Sequence, residues 1–200
     1  MQTGRHIGAI GAIAAIAVSA PAGVVTDSST MIMDNAIGFE TLALNTPITS
    51  LDFGDGLVAN VTAGSGAINR VFNRHDGHGA VSYEGEMAWK IANGPFTFDF
   101  GASQVDTFGF WYSDLEWADL HISFDGAPAV VLSDNNSRNP KFWAFEADPG
   151  ESFSNVTITF TGHNDGVGID GIFAAAVPPP GAAAVMGVAG ALTFSRRRRG

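Results

Sequence analysis

A two-residue alternation of apolar and polar side chains is the feature that most constrains the fold of this chain. Val156, Ile158 and Phe160 alternate with three threonines, and residues 96–100 and 120–124 repeat the pattern. Successive side chains of a β-strand point to opposite faces, so this alternation is typical of a strand with one buried face. The pattern therefore predicts antiparallel sheets.

Similar segments recur along the chain and are separated by turn residues. The other predicted strands are residues 39–44, 57–62, 67–72, 87–91, 105–112, 129–132 and 141–146. The breaks between them contain Asp-Gly and Asn-Gly pairs, which favour tight turns. About ten short strands with this spacing predict an all-β fold, an antiparallel β-sandwich of jelly-roll type. Residues 113–120 carry a weak helix signal, and a single turn in a loop is the better interpretation.

Composition excludes several classes of protein. The 200-residue sequence has no cysteine, which excludes disulfide scaffolds, cysteine-ligated zinc and thiol catalysis. The formal net charge is −10, and all 20 acidic residues lie between Asp27 and Asp170. Half of the basic residues lie near the two ends, so the interior of the chain is more acidic than the whole. This charge argues against nucleic acid as a partner and favours cations or neutral glycans.

The N-terminus has the pattern of a secretory signal. Arg5 and His6 precede an apolar run at residues 7–18, and small residues then lead to Ala22. A positive start, an apolar stretch and a small-residue site are typical of signal peptides. A buried apolar helix is the alternative, but no capping pattern accompanies the run. We predict cleavage by signal peptidase after Ala22.

The C-terminus combines prolines, an apolar stretch and arginines. The prolines are part of the run Val177, Pro178, Pro179 and Pro180, and the arginines are Arg196, Arg197, Arg198 and Arg199. A helix over residues 181–194 is about 21 Å long, shorter than the roughly 30 Å hydrocarbon core, so it inserts with tilt or local thinning of the bilayer. The arginines would hold that end on the cytoplasmic side.

This order of features resembles a PEP-CTERM sorting tail, in which exosortase, a membrane enzyme, recognises and processes the segment. The resemblance covers residues 177–200. Pro179 stands where the family usually has Glu, whereas Val177, Pro178 and Pro180 match. The resemblance implies an exported protein that is held transiently in the inner membrane and then reaches the cell surface or extracellular matrix. Signal peptidase and an exosortase-type enzyme would be its processing partners.

The body of the chain carries a weaker resemblance. Residues 108–110 and the motif at 168–172 are similar to strand motifs of exported PEP-CTERM β-sandwich domains. This implies that residues 168–172 belong to the last strand before the tail. No interior linker or repeat divides the chain. We therefore predict a signal peptide at 1–22, a lead-in at 23–34, a β-sandwich at 35–176 and a sorting tail at 177–200.

Calcium is the first candidate ligand. Asp52, Asp55, Asp165 and Asp170 lie in or near glycine-rich segments. Ca²⁺ takes six to eight oxygen ligands from irregular loops, so these residue types suit it. The alternative is that the Asp-Gly pairs build turns and that Asp170 accepts a hydrogen bond from a neighbouring backbone N–H. No cofactor is required by any motif.

A glycan is the second candidate ligand. Alternation in residues 108–112 places Trp111 on the face opposite Phe108 and Phe110. An outward Trp111, together with Trp117, could stack on sugar rings, while Asp114 and Asp119 could bind sugar hydroxyls. The alternative is that a second layer or loop covers Trp111.

A catalytic carboxylate pair is the third possibility. Glu84 and Glu86 lie two residues apart, so a strand would place both on one face, where a glycoside hydrolase could use them. Residues 84–86 could equally form a turn. No serine-hydrolase elbow, P-loop or dinucleotide fingerprint occurs in the sequence.

Together these features predict an exported, non-catalytic β-sandwich associated with the cell surface or with extracellular polysaccharide. Two alternatives stay open: a secreted polysaccharide hydrolase that uses Glu84 and Glu86, and a structural subunit that assembles with copies of itself.

Overall fold

The structure is a computed structural model that describes residues 23–31, 33, 35–73, 80–116, 118–133, 139–162 and 166–177. The predicted signal helix and the predicted tail helix lie outside these residues. No helix of the described part is long and apolar enough to cross a membrane.

Within these residues, twelve strands form two antiparallel sheets, and the segments between them form turns, bends, isolated bridges and one short 3₁₀ turn at Ser28–Thr30. The strands are β1 (Gly23–Val25), β2 (Ser50–Asp52), β3 (Val58–Ala63), β4 (Ile68–Asn73), β5 (Met87–Ala92), β6 (Pro95–Asp99), β7 (Val105–Ser113), β8 (Ala118–Phe124), β9 (Val130–Ser133), β10 (Lys141–Glu146), β11 (Asn155–Gly162) and β12 (Val167–Ala176). The first sheet has the order β1-β10-β7-β12-β5-β4, and the second has the order β2-β3-β6-β11-β8-β9.

The strand order confirms the predicted sandwich. From β5 onward the four strands β5-β12-β7-β10 form one layer and β6-β11-β8-β9 form the other, which is the order of a jelly roll. The inner faces of both layers enclose an aromatic core. Trp89, Phe98 and Phe108 are fully buried there, and the Trp89 and Phe98 rings meet edge to face at 5.8 Å.

One predicted strand is wrong. Residues 39–44 form turns, in which the Leu42 N–H donates to the Phe39 carbonyl at 3.0 Å and Asn45 adopts a left-handed φ of 64°. Phe39 is nevertheless fully buried. The apolar residues of this segment therefore pack against the core without forming a ladder of backbone hydrogen bonds.

Two short segments cover the outer face of the first sheet. The first is the stretch from Gly23 to Glu40, which we call the N-terminal segment. Its residues Val25, Met31 and Met33 pack against Phe142, Ala144 and Phe173. Near the opposite edge of the same face, Ala80 packs with Phe72 of β4 and Ala88 of β5. The residues assigned to a lead-in therefore contribute a strand, β1, and a covering layer to this sheet.

A bulge in β12 sets the direction of Asp170. The pairing of β12 with β7 shifts between Asp170 and Phe173, and Gly171 at this point has a φ of +53°. The extra residue lets Ile169 and Ile172 both face the core while Asp170 faces outward. A side chain at position 171 would approach Cδ1 of Trp111 to 2.9 Å, so glycine is required there.

Candidate functional site

A cleft of about 310 Å³ opens on the outer face of the first sheet. It lies between the N-terminal segment and the loop at residues 80–86, which we call the Tyr83 loop. Its lining residues are Met33, Ala36, Gly38, Glu40, Tyr83, Glu84, Trp111, Asp170 and Gly171. We call it the aromatic cleft, because two stacked rings form one side of it.

The two rings are those of Tyr83 and Trp111. Their centroids are 3.6 Å apart and their planes differ by 6°. Trp111 is half-buried, and the Phe142 ring meets it edge to face at 5.3 Å. Tyr83 is 41% exposed, which makes it one of the most exposed large apolar side chains in the described residues. Tyr83 therefore presents an aromatic surface to solvent, and Trp111 supports it.

The carboxylate of Asp170 holds one side of the Tyr83 loop. Its Oδ2 accepts hydrogen bonds from the backbone N–H groups of Tyr83 at 2.9 Å and Glu84 at 3.1 Å. Its Oδ1 accepts from the N–H of Gly171 at 2.9 Å. Hydrogen bonds to an ionised carboxylate are stronger than neutral ones, so these contacts fix the backbone that carries the Tyr83 ring.

Glu40 holds the other end of the same loop. Its Oε1 accepts from the backbone N–H of Glu86 at 2.9 Å and of Met87 at 2.8 Å. Gly85 has a left-handed φ of +62° and lies directly against the Glu40 carboxylate, so a side chain at position 85 would displace it. Two carboxylates from distant parts of the chain therefore accept hydrogen bonds from four backbone N–H groups of one short segment.

Burial raises the pKa of Asp170 despite these hydrogen bonds. The side chain is 3% exposed, and loss of hydration raises its pKa from 3.8 to about 6. The hydrogen bonds from the N–H groups of Glu84, Gly171 and Tyr83 lower the pKa, and the negative charge of Glu40 raises it. The cleft therefore concentrates negative charge in a poorly hydrated place.

The structure brings together some of the residues predicted for ligand binding and separates others. Trp111, Glu84 and Asp170 all line the aromatic cleft. Asp114, at the end of β7, is 2% exposed, and Asp119 lies in β8 of the second sheet. Trp117 lies outside the described residues. Glycan binding by Trp111, Trp117, Asp114 and Asp119 stays a prediction, and Trp111 is the member of this set that lies in the aromatic cleft.

The predicted calcium ligands lie in different parts of the sandwich. Asp52 and Asp55 belong to the β2–β3 turn of the second sheet, where Asp52 Oδ1 accepts from the Gly54 N–H at 2.9 Å. Asp170 belongs to the first sheet, and Asp165 is outside the described residues. Within the part of the chain that the structure describes, no three acidic or histidine side chains converge to hold a metal. Calcium binding stays a prediction.

The proposed catalytic pair lies in a loop. Glu84 and Glu86 precede β5 and are both exposed, and the cleft is lined by Glu84 but not by Glu86. Of the sorting motif, Val177 is described, and its N–H donates to the Gln104 carbonyl at 2.9 Å. Ala22, Pro178, Pro179, Pro180 and Arg196 to Arg199 lie outside the described residues.

Sequence reasoning missed Tyr83, Glu40 and Gly171. Asp170 is 87 positions from Tyr83 in the sequence, and Glu40 is 46 positions from Glu86. No local sequence pattern therefore connects either carboxylate with the loop. An aromatic residue between Ser82 and Glu84, two positions before Gly85, was the available signal for an exposed ring.

No protein-family model and no curated protein matches this sequence. Among solved structures, TmCBM61 in complex with β-1,4-galactotriose is 16% identical, with a TM-score of 0.40, over 70% of this chain and 94% of that one. The enzymatically active domain of tailspike protein 4 of bacteriophage CBA120 is 12% identical, with a TM-score of 0.35, over 60% of this chain and 18% of that one. The interpretation of the cleft therefore depends on its own geometry.

From the raised pKa of Asp170 we predict how the free energy of unfolding depends on pH. Because the folded state binds this proton more tightly than the unfolded state, the carboxyl contributes more stability as the pH falls from 7 through 6 towards 4. We expect the free energy of unfolding of the wild type, relative to Asp170→Asn, to rise by about 2 kcal/mol between pH 7 and pH 4. Urea denaturation of both proteins at each pH measures this, and their difference cancels the other titrating groups.

If the difference in free energy of unfolding between the wild type and Asp170→Asn did not change with pH, this would contradict the raised pKa of Asp170. If Asp170→Asn fails to fold, carboxyl ¹³C titration of the wild type gives the same information. A midpoint near pH 6 for Asp170 is expected, and a midpoint near 4 would contradict it.

Proposed function

We propose that this chain is the precursor of an exported surface protein whose β-sandwich binds a neutral glycan in the aromatic cleft without cleaving it. The single observation that carries the binding proposal is the Tyr83–Trp111 stack. The apolar face of a sugar ring packs on a flat aromatic surface, and a surface held rigid before binding loses little conformational entropy when the ligand arrives.

The chemistry around the stack suits hydroxyl groups. Sugar hydroxyls donate hydrogen bonds, and the Glu84 carboxylate and Oε2 of Glu40 are acceptors at the edge of the cleft. The acidic interior of the chain repels anionic polymers, so a neutral polysaccharide is the better ligand. Glycines at positions 38 and 171 keep the cleft open, because neither has a side chain to fill it.

Hydrolysis is the weaker candidate for this cleft. A glycoside hydrolase needs two available carboxyl groups on either side of the scissile bond. Three backbone N–H groups occupy Asp170, and two occupy Oε1 of Glu40. Their hydrogen bonds support a role in holding the Tyr83 loop, which leaves Glu84 as the exposed carboxylate next to the stacked rings.

Removal of the Tyr83 ring tests glycan binding. Affinity electrophoresis through gels that contain galactan, mannan, xyloglucan or β-glucan would identify a bound polysaccharide. Tyr83→Ala is expected to weaken its binding at least tenfold, because truncation of a central aromatic contact typically costs 2 kcal/mol or more. Tyr83→Phe keeps the ring and should bind within about twofold of the wild type.

Val131→Ala is the matched control, because Val131 is 50% exposed and lies in β9 of the second sheet. It should bind as the wild type does. Equal binding by Tyr83→Ala and wild type would overturn this site. Release of reducing sugar from the bound polysaccharide would overturn the non-catalytic part of the proposal.

Export and sorting are supported by the two terminal segments and by the end of the folded domain. The backbone hydrogen bond of Val177 to Gln104 reaches the first residue of the proline motif, so the described domain extends up to the proposed tail. We propose that signal peptidase removes residues 1–22 and that an exosortase-type enzyme processes the tail at the membrane.

Intact mass of the protein purified from its native cell envelope and medium tests both processing steps. The expected protein begins at Gly23 and lacks Arg196 to Arg199, and it is found at the surface or in the medium. A mass that matches the full 200-residue chain would contradict processing at both ends.

A further inference from the structure

A second cleft lies on the other side of Trp111. It has a volume of about 400 Å³, and its lining includes Thr26, Asp27, Ser28, Trp111, Lys141 and Phe142. Trp111 is therefore part of both clefts. The N-terminal segment borders both of them as well, with residues 26–28 at the second cleft and Met33, Ala36, Gly38 and Glu40 at the aromatic cleft.

Strand pairing places the two clefts side by side on one face. Trp111 of β7 pairs directly with Asp170 of β12 on one side and with Phe142 of β10 on the other. Directly paired residues point to the same face of a sheet, so these three side chains form a transverse row. Neighbouring strands are about 4.8 Å apart, so the row spans roughly 10 Å.

The second cleft also has groups that recognise hydroxyls. Thr26 and Ser28 supply hydroxyl groups, Asp27 supplies a carboxylate, and Lys141 supplies an ammonium group. Asp27 caps the short 3₁₀ turn, and the hydrogen bond from Ser29 keeps the pKa of its carboxyl below the usual value, so it stays ionised. Phe142 and Trp111 give this cleft an apolar side.

We infer that the two clefts form one extended groove that binds an internal stretch of a linear neutral glycan, with a disaccharide stretch in the aromatic cleft and further sugar units in the second cleft. The inference rests on the proposed glycan binding at Tyr83. A terminal sugar would need one cleft, whereas two adjoining clefts that share an aromatic residue favour a chain that continues across it. The groove crosses β12, β7 and β10 at right angles to the strands.

Chain length is the variable that tests the groove. Calorimetric titration would use linear gluco-, manno- and galacto-oligosaccharides of two, four and six units. We expect the six-unit ligand of the recognised series to bind at least tenfold more tightly than its two-unit member. The double variant Thr26→Ala, Lys141→Ala alters two exposed side chains of the second cleft and should lower six-unit binding to the two-unit level.

The outcomes separate the two proposals. Two-unit binding should be unchanged in the double variant and lost in Tyr83→Ala. Equal affinity at all lengths, or equal weakening of both ligands by the double variant, would overturn the extended groove and leave the Tyr83 site standing. Absence of binding by the wild type at every length would overturn both. Thermal melting confirms that the double variant folds.

Discussion

The hydrogen bonds that two carboxylates accept from the backbone of the Tyr83 loop and of Met87 are the interaction on which the candidate site depends. Asp170 holds the backbone of Tyr83 and Glu84, and Glu40 holds that of Glu86 and Met87. Val81 exchanges hydrogen bonds with the Ser113 hydroxyl, but residues 82–86 of the loop belong to no strand, because β5 begins only at Met87. The carboxylates therefore convert a short irregular segment into a fixed support for an aromatic ring.

Holding the Tyr83 loop with a buried carboxylate costs hydration free energy. Asp170 is almost fully buried, and burial of a charge is unfavourable unless hydrogen bonds compensate for the lost hydration. Hydrogen bonds from three N–H groups compensate for part of the lost hydration. The raised pKa of Asp170 reflects the part that is not compensated. A bulge at Gly171 directs the carboxylate outward, so the core keeps its apolar residues while the outer face gains a polar anchor.

The second sheet is the part of the fold that sequence patterns predict best. The outer residues of β11 are threonines, so the apolar–polar alternation is visible along the chain. In the first sheet the N-terminal segment and the Tyr83 loop cover outer residues such as Phe142 and Ala88, and these are apolar too. The prediction failed for residues 39–44 because a buried Phe39 packs equally well from a turn.

The cleft could be predicted only in part. Trp111 follows from alternation within one strand, whereas its partner Tyr83 comes from a loop far away in the sequence and is positioned by Asp170 and Glu40. Such contacts are set by sheet order and by a bulge, and neither feature has a local signature in the sequence. The transverse row of Asp170, Trp111 and Phe142 likewise exists only once the three strands are paired.

We propose that ligands bind the outer face of the first sheet, around Trp111. The most direct measurement is a ¹⁵N NMR titration of the isotope-labelled protein with the six-unit oligosaccharide. If ligands bind this face, we expect shifts at the backbone N–H groups of Tyr83 and Glu84 and at the indole N–H of Trp111, while the core indole of Trp143 stays unchanged. Shifts confined to the strands of the second sheet would contradict it.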